Sequence, residues 1–198
     1  MFIELTDHLR CVEDHEERYL VLLPGTMADR SVRAGELGCP VCNRIYHVTD
    51  GIVDFGGGAA EEPPQSALDA DGVLALTGLS GAGGYLALVG GVARSHEAIG
   101  ENLPGVGLVG INPPRSLRDE PAFSILRGGR IPLRSSSMRG VVLGPGFGSD
   151  PHWVAEAMRV TLPGLRVVGE GREPALDDLE LLASAGGCWV GSKTRNRA

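Results

Sequence analysis

No apolar run follows the opening MFIELTDHLR, so a secretory signal is not expected there. That favours a cytoplasmic protein, with cysteines acting as thiols or metal ligands rather than as disulfides. Cysteine is itself scarce: there are four in 198 residues, and only Cys39 and Cys42 form a CxxC pair. Basic residues are outnumbered, 18 Lys and Arg against 25 Asp and Glu, giving a net charge of −7. A generic phosphate-tracking nucleic-acid binder is thereby disfavoured. No internal repeat is present. Glycine, by contrast, is abundant at 30 residues, roughly twice ordinary usage, which predicts tight turns and close backbone approaches.

Charge is also missing from residues 72–93, GVLALTGLSGAGGYLALVGGVA, a stretch long enough to span a bilayer. A glycine cluster interrupts it, with Thr77 and Ser80 alongside. It reads as a buried strand, a glycine loop and a helix, and no membrane association is expected.

The predicted fold class is α/β. Residues 1–57 read as a small β module, with β-like runs at 19–23 and 44–48 and a turn signal at Asp50-Gly51. A core that small calls for a staple such as a metal. Residues 58–68 read as a Gly-, acid- and Pro-rich linker. From residue 69 to 198, strands are expected at 72–77, 106–111, 123–126, 140–143, 165–169 and 188–191, and helices at 84–95, 150–160 and 174–185. Asp150 and Pro151 supply the cap and first position of the second helix. This alternation predicts a doubly wound parallel sheet. The basic tail, residues 192–198, reads as frayed.

Cys39-Pro-Val-Cys42 offers half of a tetrahedral zinc site. The other half has to come from Cys11 and one further donor. His15 is the better choice because imidazole is the commoner structural ligand, with Asp14 and His8 as alternatives. Cys188, in an apolar strand, reads as a small buried hydrophobe.

Cys39-Pro-Val-Cys42, Tyr46 and Asp50-Gly51-Ile52-Val53 resemble the small zinc-ribbon proteins that activate methyltransferases, also found fused to bacterial methyltransferases. Two departures stand out. The first cysteine pair is reduced to Cys11 with His15 or Asp14, and Val53 replaces a proline. Residues 70–170 resemble class I S-adenosylmethionine-dependent methyltransferases, most closely over residues 155–171, AEAMRVTLPGLRVVGEG. The resemblance implies cofactor contacts from Thr77, Gly78, Ser80, Gly81, Gly83 and Asn112. It also implies a zinc ion and S-adenosylmethionine as cofactors.

The family's acids are replaced in this chain: Thr77 stands at the first, Asn112 at the ribose-gripping second, and Gly129 or Arg130 at the third. A carboxylate on ribose hydroxyls makes charge-assisted bonds of roughly 1.5–3 kcal/mol each. Losing several predicts a non-catalytic, methyltransferase-like protein that supports a protein partner, with a methyltransferase as the first candidate. The alternative is an active S-adenosylmethionine-dependent methyltransferase whose catalytic residues the sequence does not name.

Two further readings compete. Gly78-Leu79-Ser80-Gly81-Ala82 approaches a nucleophile elbow, with His152 and Asp119 or Asp150 as partners. Arginines 115, 118, 127, 130, 134 and 139 form the one basic concentration, which reads as a solvated face or as a docking patch for RNA or an acidic protein.

Overall fold

The computed structural model describes residues 1–58 and 61–193. After a 3₁₀ turn at Ile3–His8, β1 (Val21–Ala28) and β2 (Ser31–Gly38) form an antiparallel hairpin. Asp29 and Arg30 turn it with φ of 47° and 64°, a conformation that matches the twist of the flanking strands. β3 (Ile45–Thr49) and β4 (Ile52–Asp54) follow, joined by the expected Asp50-Gly51 turn, φ 51° and 79°. Gly51 is required twice over. Its φ is positive, and a Cβ there would meet the Asp119 side chain at 2.5–2.8 Å. Asp119 lies 3.2 Å from the Arg33 guanidinium and 2.6 Å from the Met1 ammonium, pinning the first residues to the loop before β7.

β4 pairs in parallel with β7 (Phe123–Arg127), so the small β module and the rest of the chain share one eleven-stranded sheet. Beyond β7 the order runs β6 (Gly107–Ile111), β5 (Tyr85–Val89), β8 (Gly140–Leu143) and β9 (Arg166–Glu170), all parallel. In chain order these five are third, second, first, fourth and fifth, which is the doubly wound arrangement. β11 (Cys188–Lys193) is inserted antiparallel between β9 and the edge strand β10 (Leu179–Ala185). The predicted α/β class and parallel sheet are therefore observed.

The central strands are buried on both faces, as continuous apolar runs in parallel sheets require. One core packs Leu5, Leu9, Leu126, Leu133 and Trp189 with α3 (Pro151–Val160). The other packs Leu86, Leu88, Phe123 and Ile125 with α1 (Ala70–Thr77) and α2 (His96–Asn102).

Three predicted elements differ. The strand expected at 72–77 is α1. Asp69 caps it by accepting the Gly72 N–H at 2.8 Å, and Gly78 closes it in the left-handed region at φ 63°. Those two caps outweigh the strand-like alternation of VLALT. The helix expected at 84–95 is strand β5 followed by a 3₁₀ turn at Gly90–Ser95, because YLALV is a short, fully buried apolar run. The helix expected at 174–185 contains β10 instead. Gly186 and Gly187, φ 62° and 79°, fold that segment back onto β11 as a hairpin, and pairing overrides the helix propensity of LELLASA. The strands at 106–111, 123–126, 140–143, 165–169 and 188–191 and the Asp150-capped α3 lie where predicted, within a few residues. Residues 194–198 of the basic tail lie outside the described residues. Among the described residues, no helix is long and apolar enough to cross a membrane.

A candidate metal centre and a crowded sheet end

The thiols of Cys11, Cys39 and Cys42 and the His15 imidazole converge, with one donor atom from each lying within 4.8 Å of the others. Cys11 Sγ is 3.7 Å from Cys42 Sγ, and Cys39 Sγ is 3.4 Å from His15 Nε2. Zn–S bonds of about 2.3 Å and Zn–N bonds of about 2.0–2.1 Å in a tetrahedron require edges of about 3.8 and 3.6 Å. The four residues therefore already stand at zinc spacing, and the donor set fits that ion. Asp14 and His8 are not part of the cluster.

The local chain explains the convergence. The Cys39–Cys42 turn closes through Asn43 N–H to the Cys39 carbonyl, 3.0 Å, and Cys39 N–H to the Arg44 carbonyl, 2.8 Å. Burial pushes the Cys39 thiol up, but N–H bonds from Cys42 and Val41 and the neighbouring thiols bring it down to about 7. Cys11 is pushed up by burial to about 11, against the hydrogen bond from Tyr46. A cation would supply the missing positive charge and displace these protons. His15 is already oriented for this. Its Nδ1 bonds the Glu16 carbonyl at 2.7 Å, which pushes the ring's pKa up and leaves Nε2 facing Cys39. The Tyr46 hydroxyl lies 3.1 Å from Cys11 Sγ, and burial, then Cys11, keeps the phenol protonated as a donor. That supporting role was not legible in the sequence, although Tyr46 stood in the motif.

The predicted cofactor residues fall in two places. Thr77, Gly78, Ser80, Gly81 and Gly83 precede β5 and lie at the amino end of the sheet, not over the carboxyl ends where doubly wound folds bind ligands. There the loop turns its carbonyls inward. Arg139 donates to Ser80, Gly81 and Gly83 carbonyls at 2.6, 2.9 and 2.7 Å. An anion needs converging N–H groups, and this loop cradles a cation instead. Thr77 bonds its own helix at the Val73 carbonyl, 2.7 Å, and Arg166 caps the same helix end through the Leu76 carbonyl, 3.0 Å.

Asn112, in contrast, follows β6 at the carboxyl end. Its amide is consumed by the backbone: Nδ2 donates to the Gly128 carbonyl at 2.7 Å and Oδ1 accepts the Gly128 N–H at 3.0 Å. The loop that follows β5, the first of the five parallel strands in chain order, begins at Gly90-Gly91. Gly90-Gly91 was missed because the apolar run before it had been read as helix. A Cβ on Gly91 would lie 1.9 Å from the Pro64 carbonyl oxygen. The chain around Pro64–Ala67 thus lies directly against the place where a ligand would approach β5. Glu170, at the end of β9, holds that strap by accepting from Ser66 Oγ and from Ala67 N–H, the latter at 2.7 Å. The Phe147 ring covers Gly90, within 2.5–2.7 Å of a Cβ placed there. Beside this obstruction a cleft of about 410 Å³ remains, lined by Asp54, Gly56, Gly57, Gly58, Asn112, Arg115 and Arg127.

The nucleophile-elbow grouping is not assembled. The Ser80 carbonyl serves Arg139, His152 Nε2 bonds the Gly129 carbonyl at 3.0 Å near the opposite sheet end, Asp150 caps α3, and Asp119 pairs with Arg33. Among the arginines, Arg118 bonds the Arg115 carbonyl, Arg127 the Pro113 carbonyl, and Arg134 lies 4.0 Å over the Tyr19 ring.

No protein-family model matches the chain, and no curated protein sequence matches it. Among solved structures, the 'putative methyltransferase from antibiotic biosynthesis pathway' of Anabaena variabilis is similar, with TM-score 0.40 and 16% identity over 50% of this chain and 43% of that one. The MccD protein is similar with TM-score 0.42 and 14% identity over 59% of each chain. The chain therefore spans about half the length of the solved proteins it matches.

Proposed function

We propose that this is a zinc-stabilised, methyltransferase-like protein of the cytoplasm that does not itself transfer methyl groups and instead supports a protein partner, with an active methyltransferase as the first candidate. The observation that carries the reading is the occupied carboxyl end of β5, where the Pro64 carbonyl abuts Gly91 and Phe147 covers Gly90. No acid stands directly after β5 or β6, and the Asn112 amide is committed to Gly128. Zinc, held by Cys11, His15, Cys39 and Cys42, has a structural role here, because four protein ligands leave no open position for chemistry. Exposed Val21, Leu23 and Met27 on edge strand β1, with Ile45 on β3, supply apolar surface of the kind partners cover. RNA is the weaker partner class, given the net charge of −7.

The test is calorimetric titration of zinc-loaded protein with S-adenosylmethionine and S-adenosylhomocysteine. No heat at millimolar ligand is expected, and micromolar binding would overturn the non-catalytic reading. One observation favours the second reading, an active S-adenosylmethionine-dependent enzyme: the cleft beside Asn112 keeps both a carboxylate, Asp54, and a volume within the range of small-molecule sites. The same titration decides between the two.

A further inference from the structure

A second group of metal-ligating side chains lies on the α2 face of the sheet, on elements separate from the thiolate cluster. His96 opens α2, Glu97 follows it, and Glu120 comes from the loop leading into β7, where it closes a tight pair of backbone bonds with Phe123, 2.9 and 3.0 Å. One donor atom from each of the three lies within 4.8 Å of the others. His96 is 5% exposed, and its ring stacks on Phe123 with centroids 4.1 Å apart. Nδ1 bonds the Ala93 carbonyl at 3.0 Å, which fixes the tautomer with the proton on that nitrogen. Nε2 is left buried with no hydrogen-bond partner, aimed at Glu120, whose Oε2 stands 3.5 Å away.

We propose that His96, Glu97 and Glu120 form a second site, for a divalent transition cation. A buried imidazole nitrogen lacking a hydrogen bond is costly unless something satisfies its lone pair. With its proton held on Nδ1 by Ala93, the neutral ring would present a lone pair toward the carboxylate, so a cation between them would resolve both groups. Nitrogen and oxygen ligands at about 2.1 Å from a tetrahedral ion stand about 3.4 Å apart, close to the observed separation. One imidazole and two carboxylates are a borderline-to-hard set suited to Mn²⁺, Fe²⁺ or Zn²⁺, unlike the soft thiolate centre. Glu97 is exposed and Glu120 is partly so, and an adjoining cleft of about 290 Å³ gives water and the ion a route in. The three protein ligands leave coordination positions for water or a small anionic ligand.

The probe is Mn²⁺, which does not displace zinc from thiolates, so the outcome is independent of how the first site and the proposed function fare. Full-length protein is titrated with Mn²⁺, following free Mn²⁺ by electron paramagnetic resonance, while histidine ring protons are monitored by NMR. One Mn²⁺ per chain at micromolar dissociation constant is expected, with the His96 signals broadened selectively and those of His47 spared. Glu120→Gln, at a half-exposed position, should weaken binding at least tenfold while leaving thermal stability nearly unchanged. Cys42→Ser should leave Mn²⁺ binding intact. Binding that survives Glu120→Gln and His96→Gln at full strength, or the absence of His96 broadening at millimolar Mn²⁺, would refute the site. In that case His96 and Glu120 are simply an ion pair.

Discussion

The thiolate knuckle and the carboxyl end of the parallel sheet are the two places where the resembled families hold a ligand, and they are built in opposite ways. At the knuckle four donors stand at zinc spacing with their supporting hydrogen bonds already made, so a cation adds what the site lacks. At the sheet end the groups nearest β5 and β6 already have partners within the chain: Gly91 meets Pro64, Asn112 meets Gly128, and Glu170 meets Ser66 and Ala67. Pre-assembly with an unmet charge points to a ligand; pre-assembly with every charge met points to structure.

The strongest test of this contrast is removal of the proposed zinc, by chelation or by Cys39→Ser. Structural zinc in small modules binds with on the order of 10 kcal/mol. Stripping it should bring amide exchange in β1–β4 close to unprotected rates while β5–β9 stay protected. Equal protection before and after would break the comparison at its metal end.

At the sheet end the largest effect is expected from Glu170→Ala, which releases the strap from two charge-assisted bonds. It should cost about 3 kcal/mol by denaturant unfolding and expose Gly91. If S-adenosylmethionine binding then appeared in calorimetry, the obstruction would be regulatory rather than permanent.

Asn112→Asp restores the acid of the resembled family but loses the donor to Gly128 and sets a carboxylate against a carbonyl. A loss of about 2 kcal/mol with no gain in cofactor binding is expected. Tighter binding would mean the cleft is a true cofactor site.

Glu17 ties the first module to the rest through Ser135 and Arg159, and also pairs with Arg10 of its own module. Burial raises its pKa, but the Ser135 bonds and then the two arginines outweigh this, holding it below the ordinary 4.5. Its contribution is therefore present above about pH 4.5 and lost as pH falls through the lower folded value, with Glu156 depressed in the same direction. Urea midpoints should fall on acidification. Glu17→Gln should lower stability by about 1 kcal/mol at pH 7 and flatten that slope. Last, Ser80→Ala should change stability by less than about 0.5 kcal/mol, since only the Ser80 backbone carbonyl is used.

The legibility of the two regions differs for a physical reason. Donor type and short spacing made Cys39-Pro-Val-Cys42 legible as half of a metal site, whereas the donor beside Cys11 stayed open among His15, Asp14 and His8 until the fold brought Cys11 and His15 to that pair. A cofactor site depends on which residue follows which strand, and the five residues from Thr77 to Gly83 were misplaced once α1 had been read as the first strand. Asp69 and Gly78 were the signals that would have corrected it, as a cap and a stop around an eight-residue helix. Glu170 lies 104 residues beyond Ser66 in sequence, and nothing local announces that it meets the Pro64–Ala67 strap.

Local sequence accounts for the α/β class, most of the central strands, the Asp50-Gly51 and α3 turn chemistry, and the Cys39–Cys42 half of the knuckle, because each rests on hydrophobic runs or on residues a few positions apart. Only the tertiary structure decided the single shared sheet, the reversed polarity of the glycine loop around Arg139, the closure of the end of β5 and the meeting of His96 with Glu120. Those follow from long-range packing, where a contact costs loop-closure entropy and leaves no periodic trace in the chain.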